Sequence, residues 1–161
     1  MVRSIHAEID IDAPAERVWG VLTDFDSFPR WNPFVRRAGG ELRTGGRLTI
    51  HLQLSDRIMT FDPLVIKLEP NRELRWLARQ KIPNMFDVER IFTIRPRGDG
   101  GVRFIQHEDC TGLLVPPLLK LGLERDIRRG YERLNLALKA LAEEGAAWSP
   151  VAPPPPAAAA S

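Results

Sequence analysis

The sequence has little of several features that would narrow its chemistry. Its 161 residues include one cysteine, Cys110, which excludes an intrachain disulfide and any multi-cysteine zinc or iron–sulfur site. Positive and negative side chains nearly balance, at 23 Lys and Arg against 21 Asp and Glu. We therefore expect no nucleic-acid partner, because binding a phosphate backbone needs a concentrated basic face. No uncharged apolar run reaches the roughly 18 residues that a membrane-spanning helix needs.

Motifs of common enzyme classes are also lacking. The sequence contains no Gly-x-Ser-x-Gly elbow, no phosphate-binding Gly-x-x-x-x-Gly-Lys and no His-Glu-x-x-His. His6, His51 and His107 fall on separate predicted strands, so we expect no metal site and no cofactor. The first eight residues lack the apolar segment of a signal peptide, which favours a cytoplasmic location.

The composition indicates one globular domain followed by a tail. Hydrophobic residues make up 43% and charged residues 27% of the chain, as in average soluble domains. From residue 145 the composition changes, with four prolines at 153–156 and four alanines at 157–160. Consecutive prolines cannot donate backbone hydrogen bonds and favour an extended chain. We predict a ligand-binding domain over 1–144 and a disordered tail over 145–161.

The domain is predicted to consist of one strand, two small helices, six strands and a long helix. Ile5, Ile9 and Ile11 alternate with polar residues as in a strand, and Asp12 is placed to cap the helix that follows. A second helical turn is predicted over 27–31. The six strands are predicted over 34–41, 47–54, 57–68, 72–80, 86–95 and 102–111. Pro63 predicts an edge position or a bulge within the third of these.

The final helix has the clearest pattern. Apolar residues recur at intervals of three and four, which defines one face of a helix. They are Leu123, Ile127, Tyr131, Leu134, Leu138 and Leu141. A helix with one apolar face must bury it, and the sheet is the large partner available.

Three segments, at residues 11–19 (IDAPAERVW), 28–34 (FPRWNPF) and 112–119 (GLLVPPLL), carry a family resemblance. They resemble the START/Bet v 1-like (SRPBCC) superfamily, and within it the polyketide cyclase/dehydrase-like group. The predicted element order is similar to that of the superfamily and covers residues 3–143. The resemblance implies an α+β helix-grip fold, with a curved seven-stranded antiparallel sheet wrapped around the C-terminal helix. It also implies an elongated apolar cavity between sheet and helix.

Two predicted strands joined by the turn at 98–101 place charged residues on the cavity side. Strand alternation directs two sets of side chains inward: Val88, Arg90, Phe92 and Ile94 from the first strand, and Phe104, Gln106, Glu108 and Cys110 from the second. With the turn centred on Asp99, the numbers of opposed residues add to about 198. This register sets Arg90 directly opposite Glu108.

Buried and unpaired charges are costly, so Arg90 and Glu108 should pair with each other or with a ligand. Four interpretations are open. The pair is an anchor for a ligand carbonyl or hydroxyl, a general acid/base element, or a structural ion pair at a solvated end of the cavity, or else a register slip turns both side chains outward. Arg90 and Glu108 are accordingly the candidate catalytic residues if the protein is an enzyme.

Further ligand-binding candidates are aromatic and apolar, because flat and apolar side chains make good walls for hydrophobic ligands. The predicted set comprises Trp31, Phe61, Trp76, Val88, Phe92, Phe104 and Leu114, together with Gln106. Trp31 is either part of the pocket rim or a packing plug. The apolar segment 113–119 is either a lid that contacts ligand or a buried start of the last helix. With Lys120 and Arg125 nearby, it also fits transient contact with an anionic membrane.

The leading hypothesis is a non-catalytic carrier or sensor that binds a hydrophobic small molecule, such as a lipid or polyketide, in this cavity. The alternative is a polyketide cyclase/dehydratase-type enzyme that uses the same cavity, with Arg90 and Glu108 polarising the substrate or transferring protons. A third hypothesis is a partner-binding regulator that resembles the chaperone-activator branch of the superfamily.

Overall fold

The computed structural model describes residues 2–144, and in this range it contains eight strands and four α-helices. The strands are β1 (Val2–Ile11), β2 (Val35–Gly40), β3 (Leu48–Leu54), β4 (Arg57–Phe61), β5 (Leu64–Glu69), β6 (Glu73–Arg79), β7 (Asp87–Pro96) and β8 (Val102–Thr111). The helices are α1 (Ala15–Thr23), α2 (Phe28–Trp31), α3 (Val115–Lys120) and α4 (Leu123–Glu143). The order confirms the predicted helix-grip fold. The predicted tail over 145–161 lies outside the described residues.

The strands form two antiparallel sheets where the sequence predicted one of seven strands. Five strands follow the order β1-β8-β7-β6-β5, and the other three follow β2-β3-β4. The run predicted over 57–68 divides at Pro63, because proline lacks the N–H that a continuous ladder requires. β4 then pairs with β3, whereas β5 pairs with β6. The sheets meet where Arg47 bridges Leu64 and the Leu48 N–H donates to the Pro63 carbonyl at 2.9 Å.

The hairpin of β7 and β8 has the predicted register. Arg90 is paired with Glu108, and Ile94 with Phe104. The inward set on β8 is fully buried, as the alternation indicated. This register fixes which charged side chains meet beneath the last helix.

One local expectation was wrong. Asp12 does not cap α1, because the helix begins at Ala15 and Pro14 occupies the capping position. The Asp12 carboxylate instead accepts a hydrogen bond from Arg97 at 2.5 Å. Within the apolar segment 113–119, residues 115–119 belong to a short helix of their own, α3. Two prolines fit the first turn of that helix, where a missing N–H breaks no helical hydrogen bond.

Helix α4 buries its apolar face in the core through Ile127, Tyr131, Leu134 and Leu138. The packing is closest at Gly130, where an added Cβ atom would overlap the ring of Phe34. Glycine at this position lets the helix approach that ring. No helix of residues 2–144 combines the length and apolar character needed to cross a membrane.

Replacing Gly130 with alanine should therefore destabilise the protein. Overpacking against Phe34 outweighs the better helix propensity of alanine, so we expect the free energy of unfolding to fall by about 1–2 kcal/mol. Urea denaturation measures this change. Arg129→Ala, at the exposed neighbouring position, is the control and should shift stability by less than about 0.5 kcal/mol. A Gly130→Ala variant at least as stable as the parent protein would contradict this packing.

Candidate functional site

A cavity of about 670 Å³ lies between the two sheets and the last two helices. Strands β3 and β4 form one wall, β6, β7 and β8 form another, and α3 with the start of α4 covers it. The lining is mostly apolar, and its aromatic members are Phe34, Phe61, Trp76 and Phe86. Several lining residues at one end are exposed, among them Arg57, Lys81 and Ile82, so the cavity opens there to solvent.

Six predicted ligand-binding residues lie on the cavity wall. They are Phe61, Trp76, Val88, Arg90, Glu108 and Leu114. Phe61 ends β4, and Trp76 lies on the inward face of β6. Leu114 immediately precedes α3 and is near the open end. Arg90 and Glu108 are the buried, charged members of this wall.

Four predicted residues do not line the cavity: Trp31, Phe92, Phe104 and Gln106. The Trp31 indole packs edge-on against Phe28 and donates to the Ser27 hydroxyl at 2.9 Å, which is the packing role. Phe92 and Phe104 stack on each other, 6.2 Å between ring centres, in the closed part of the core. Strand alternation correctly predicted that both side chains point to the inner face of the sheet. It could not predict at which positions along the strands a cavity separates this face from the helix.

Gln106 lies under α4 and joins it to the sheet. Its amide nitrogen donates to the Asn135 side-chain oxygen at 2.7 Å and to the Tyr131 carbonyl at 3.2 Å. Its amide oxygen accepts from Arg90 at 2.5 Å. Gln106 is therefore a structural bridge behind the cavity. Sequence reasoning missed Asn135, although its position four residues after Tyr131 puts both on one helix face.

Arg90 is 2% exposed and is surrounded by aromatic rings. Its guanidinium carbon lies 4.5–5.9 Å from four ring centres, those of Tyr131, Phe92, Phe34 and Trp76. Ring faces attract a cation, and a dry environment strengthens this attraction. The Arg90 Nε atom has no hydrogen-bond partner within residues 2–144. The site thus holds a buried cation with unused donor capacity.

Glu108 faces Arg90 across the ladder but binds other partners. One carboxylate oxygen accepts a short hydrogen bond from the Tyr131 hydroxyl, and the other lies 3.5 Å from the Cys110 thiol. Within the described chain no ion pair joins Glu108 to Arg90, so of the two expected pairings, with each other or with a ligand, the first does not occur. The Glu108 carboxylate thus has two neutral partners, the Tyr131 hydroxyl and the Cys110 thiol, and not the Arg90 guanidinium.

Burial, reinforced by the neighbouring Glu108, raises the pKa of Tyr131 well above its usual value. Burial and the same carboxylate also raise the pKa of Cys110. Both groups therefore remain protonated at neutral pH and act as donors. Because the thiolate is the nucleophilic form, Cys110 is not an activated nucleophile.

Within residues 2–144, no three His, Cys, Asp or Glu side chains converge as metal ligands. His107 lies on the outer face of β8, where its Nε2 atom is 3.0 Å from the Asp109 carboxylate. The buried polar groups of the cavity wall are thus an arginine and a carboxylate, with a phenol and a thiol beside the carboxylate.

The sheets, the long helix and the hollow between them define a protein of the helix-grip class. The chain belongs to the family described as polyketide cyclase/dehydrase and lipid transport, whose model matches residues 2–143. No curated protein sequence matches this chain.

Solved structures show the same fold. The chain is similar to the Zhui aromatase/cyclase of a Streptomyces species, with a TM-score of 0.74 and 18% identity over 89% of this chain and 94% of that one. It is similar to a START superfamily protein from Mycobacterium smegmatis, with a TM-score of 0.67 and 21% identity over 85% and 94%. It is also similar to norcoclaurine synthase from Thalictrum flavum, with a TM-score of 0.65 and 13% identity over 89% and 95%.

Proposed function

We propose that the protein binds a hydrophobic small molecule that carries one oxygen-rich polar group, and that it acts as a carrier or sensor. The observation that carries this proposal is the cavity of about 670 Å³, with an apolar body and a buried cation in its wall. Cavities of about 300–1,000 Å³ hold most of a drug-sized ligand. A lipid or a polyketide has the matching combination of apolar body and polar oxygens.

The apolar wall supplies the affinity. Each Å² of apolar surface removed from water contributes roughly 25 cal/mol, from which the costs of association are subtracted. Trp76, Phe61 and Val88 offer flat and branched surfaces for such contact. These contacts select for hydrophobicity and shape rather than for one chemical structure.

Arg90 supplies the orientation. Arg90 lines the cavity, and Gln106 satisfies only part of the donor capacity of its guanidinium, whose Nε atom has no partner in residues 2–144. A carboxylate or carbonyl oxygen of the ligand would provide the acceptor that the protein does not. The ligand then lies with its oxygen at Arg90 and its apolar end toward the opening. Glu108 does not compete for this place, because the Tyr131 hydroxyl and the Cys110 thiol lie against its oxygens.

A second candidate function, cyclisation or dehydration of a polyketide-like chain, is favoured by Glu108. Glu108 lines the cavity, and its carboxylate accepts a hydrogen bond from the Tyr131 hydroxyl. The carboxylate is therefore positioned to exchange a proton with a bound substrate. The fold would hold a flexible chain in a reactive arrangement, which itself lowers the barrier.

Filling part of the cavity should weaken ligand binding. Ala78 lies in the cavity wall, so Ala78→Trp should weaken binding of the fluorescent fatty acid dansyl-undecanoate by about tenfold or more. Fluorescence titration measures the affinity. Arg79→Trp is the matched control, because Arg79 is exposed and its side chain leaves the opposite face of β6. Equal affinities of parent protein and Ala78→Trp, both folded by circular dichroism, would refute the site.

Removing the Arg90 cation should affect charged ligands selectively. Hydrogen bonds to charged groups contribute about 1.5–3 kcal/mol, so Arg90→Met should weaken dansyl-undecanoate binding by about tenfold or more. Binding of the uncharged methyl ester of the same fatty acid should weaken less. Arg95→Met, at an exposed position on the same strand, controls for the loss of charge, and Arg90→Lys tests rescue. Unchanged selectivity between acid and ester would exclude Arg90 as the anchor.

The catalytic candidate is tested by Glu108→Gln, which keeps an acceptor for Tyr131 but cannot take up and release a proton as a carboxylate does. If the protein is an enzyme, turnover of a linear poly-β-ketone thioester should fall by about 10²-fold or more while dansyl-undecanoate affinity is retained. Chromatography and mass spectrometry of the products follow the reaction. Absence of turnover by the parent protein would dismiss the catalytic candidate and leave the carrier.

A further inference from the structure

The open end of the cavity is surrounded by three segments that form one surface, here called the mouth. They are β4, the loop at 80–86 and residues 113–121, from the end of β8 to the end of α3. The main-chain N–H groups of Leu113 and Leu114 donate at 3.0 and 2.9 Å to carbonyls of the loop, which holds these two segments together. Met59 on β4, Ile82 in the loop and Leu114 before α3 all line the cavity, so all three segments share one entrance.

The mouth exposes large apolar side chains. Leu121 is 82% exposed, Leu113 is 75% exposed and Ile82 is 64% exposed. Leu114 and Met59 beside them are also exposed. Single exposed leucines are normal on protein surfaces, but a group around the entrance of an apolar cavity indicates an interaction site.

The mouth also carries cations without partners. Arg57 and Lys81 line the outer part of the cavity, and Lys120 ends α3. Within the part of the chain that the structure describes, none of these three forms an ion pair. Glu108, which lies deep in the cavity, is the acidic member of the lining. The entrance therefore combines exposed apolar side chains with positive charge.

We propose that the mouth docks on the surface of an anionic lipid bilayer. Leu113, Leu121 and Ile82 enter the boundary between headgroups and acyl chains, and the three cations contact anionic headgroups. Docking in this orientation places the cavity entrance against the lipid, so that an apolar ligand passes between membrane and cavity without crossing water. The inference goes beyond the proposed function, because docking does not depend on which ligand the cavity takes.

Flotation of the full chain with vesicles tests the proposal. We expect binding to phosphatidylcholine vesicles that contain phosphatidylserine, and weaker binding to phosphatidylcholine alone. Added salt should lower the bound fraction, because it screens the attraction between exposed charges. No binding of the parent protein to phosphatidylserine vesicles at low salt would overturn the proposal.

Two double variants separate the apolar and the electrostatic parts. Leu113→Asp with Leu121→Asp, and Lys81→Glu with Lys120→Glu, should each lower vesicle affinity by about tenfold or more. Leu136→Asp is the apolar control, because Leu136 is 63% exposed but lies roughly 20 Å along α4 from the mouth. Arg95→Glu is the charge control, at the far end of β7. Both controls should bind within about twofold of the parent protein.

Two further measurements distinguish membrane docking from damage to the cavity and from dimerisation through the mouth. Dansyl-undecanoate binding without vesicles should be retained by the Leu113→Asp, Leu121→Asp variant, so that loss of docking is distinct from loss of the cavity. Sedimentation velocity reports whether a second copy covers the mouth. A dimer of the parent protein that dissociates in this variant would overturn the proposal, as would vesicle binding equal to that of the parent protein.

Discussion

The attachment of the long helix to the middle of strand β8 determines the rest of this structure. The Tyr131 hydroxyl donates to Glu108, and Gln106 donates to Asn135 and to the main chain of α4. These bonds are buried, so leaving any of their groups without a partner would cost more than the bond itself contributes. On one side of this attachment Phe92 and Phe104 close the interior. On the other side the helix and the two sheets diverge, and the cavity lies there.

The same attachment sets the chemistry of the cavity. Glu108 is turned toward Tyr131 and Cys110, which leaves Arg90 without a carboxylate partner among the described residues. Four aromatic rings stabilise that cation in a dry environment, and Arg90 is part of the cavity wall. Burial keeps the phenol and the thiol protonated. The result is a mostly apolar cavity with one buried cation in its wall.

Some of this site follows from local sequence rules. Alternation and a glycine-rich turn are enough to predict that Arg90 opposes Glu108, because a tight hairpin fixes the register of both strands. The amphipathic pattern of α4 is equally local. What could not be predicted depends on long-range packing: Gln106 meets Asn135 because of where the helix crosses the sheet. The break at Pro63 was visible as a signal, but the sequence could not show that it separates two sheets.

A hydrophobic small molecule in the cavity beside Arg90 should stay with the protein through gentle purification. Native mass spectrometry of the intact chain would detect it. We expect a noncovalent adduct of one small molecule per chain, lost on denaturation, and identifiable after organic extraction. A spectrum with only the bare protein mass, both as purified and after incubation with a lipid extract, would show that the cavity holds no such molecule.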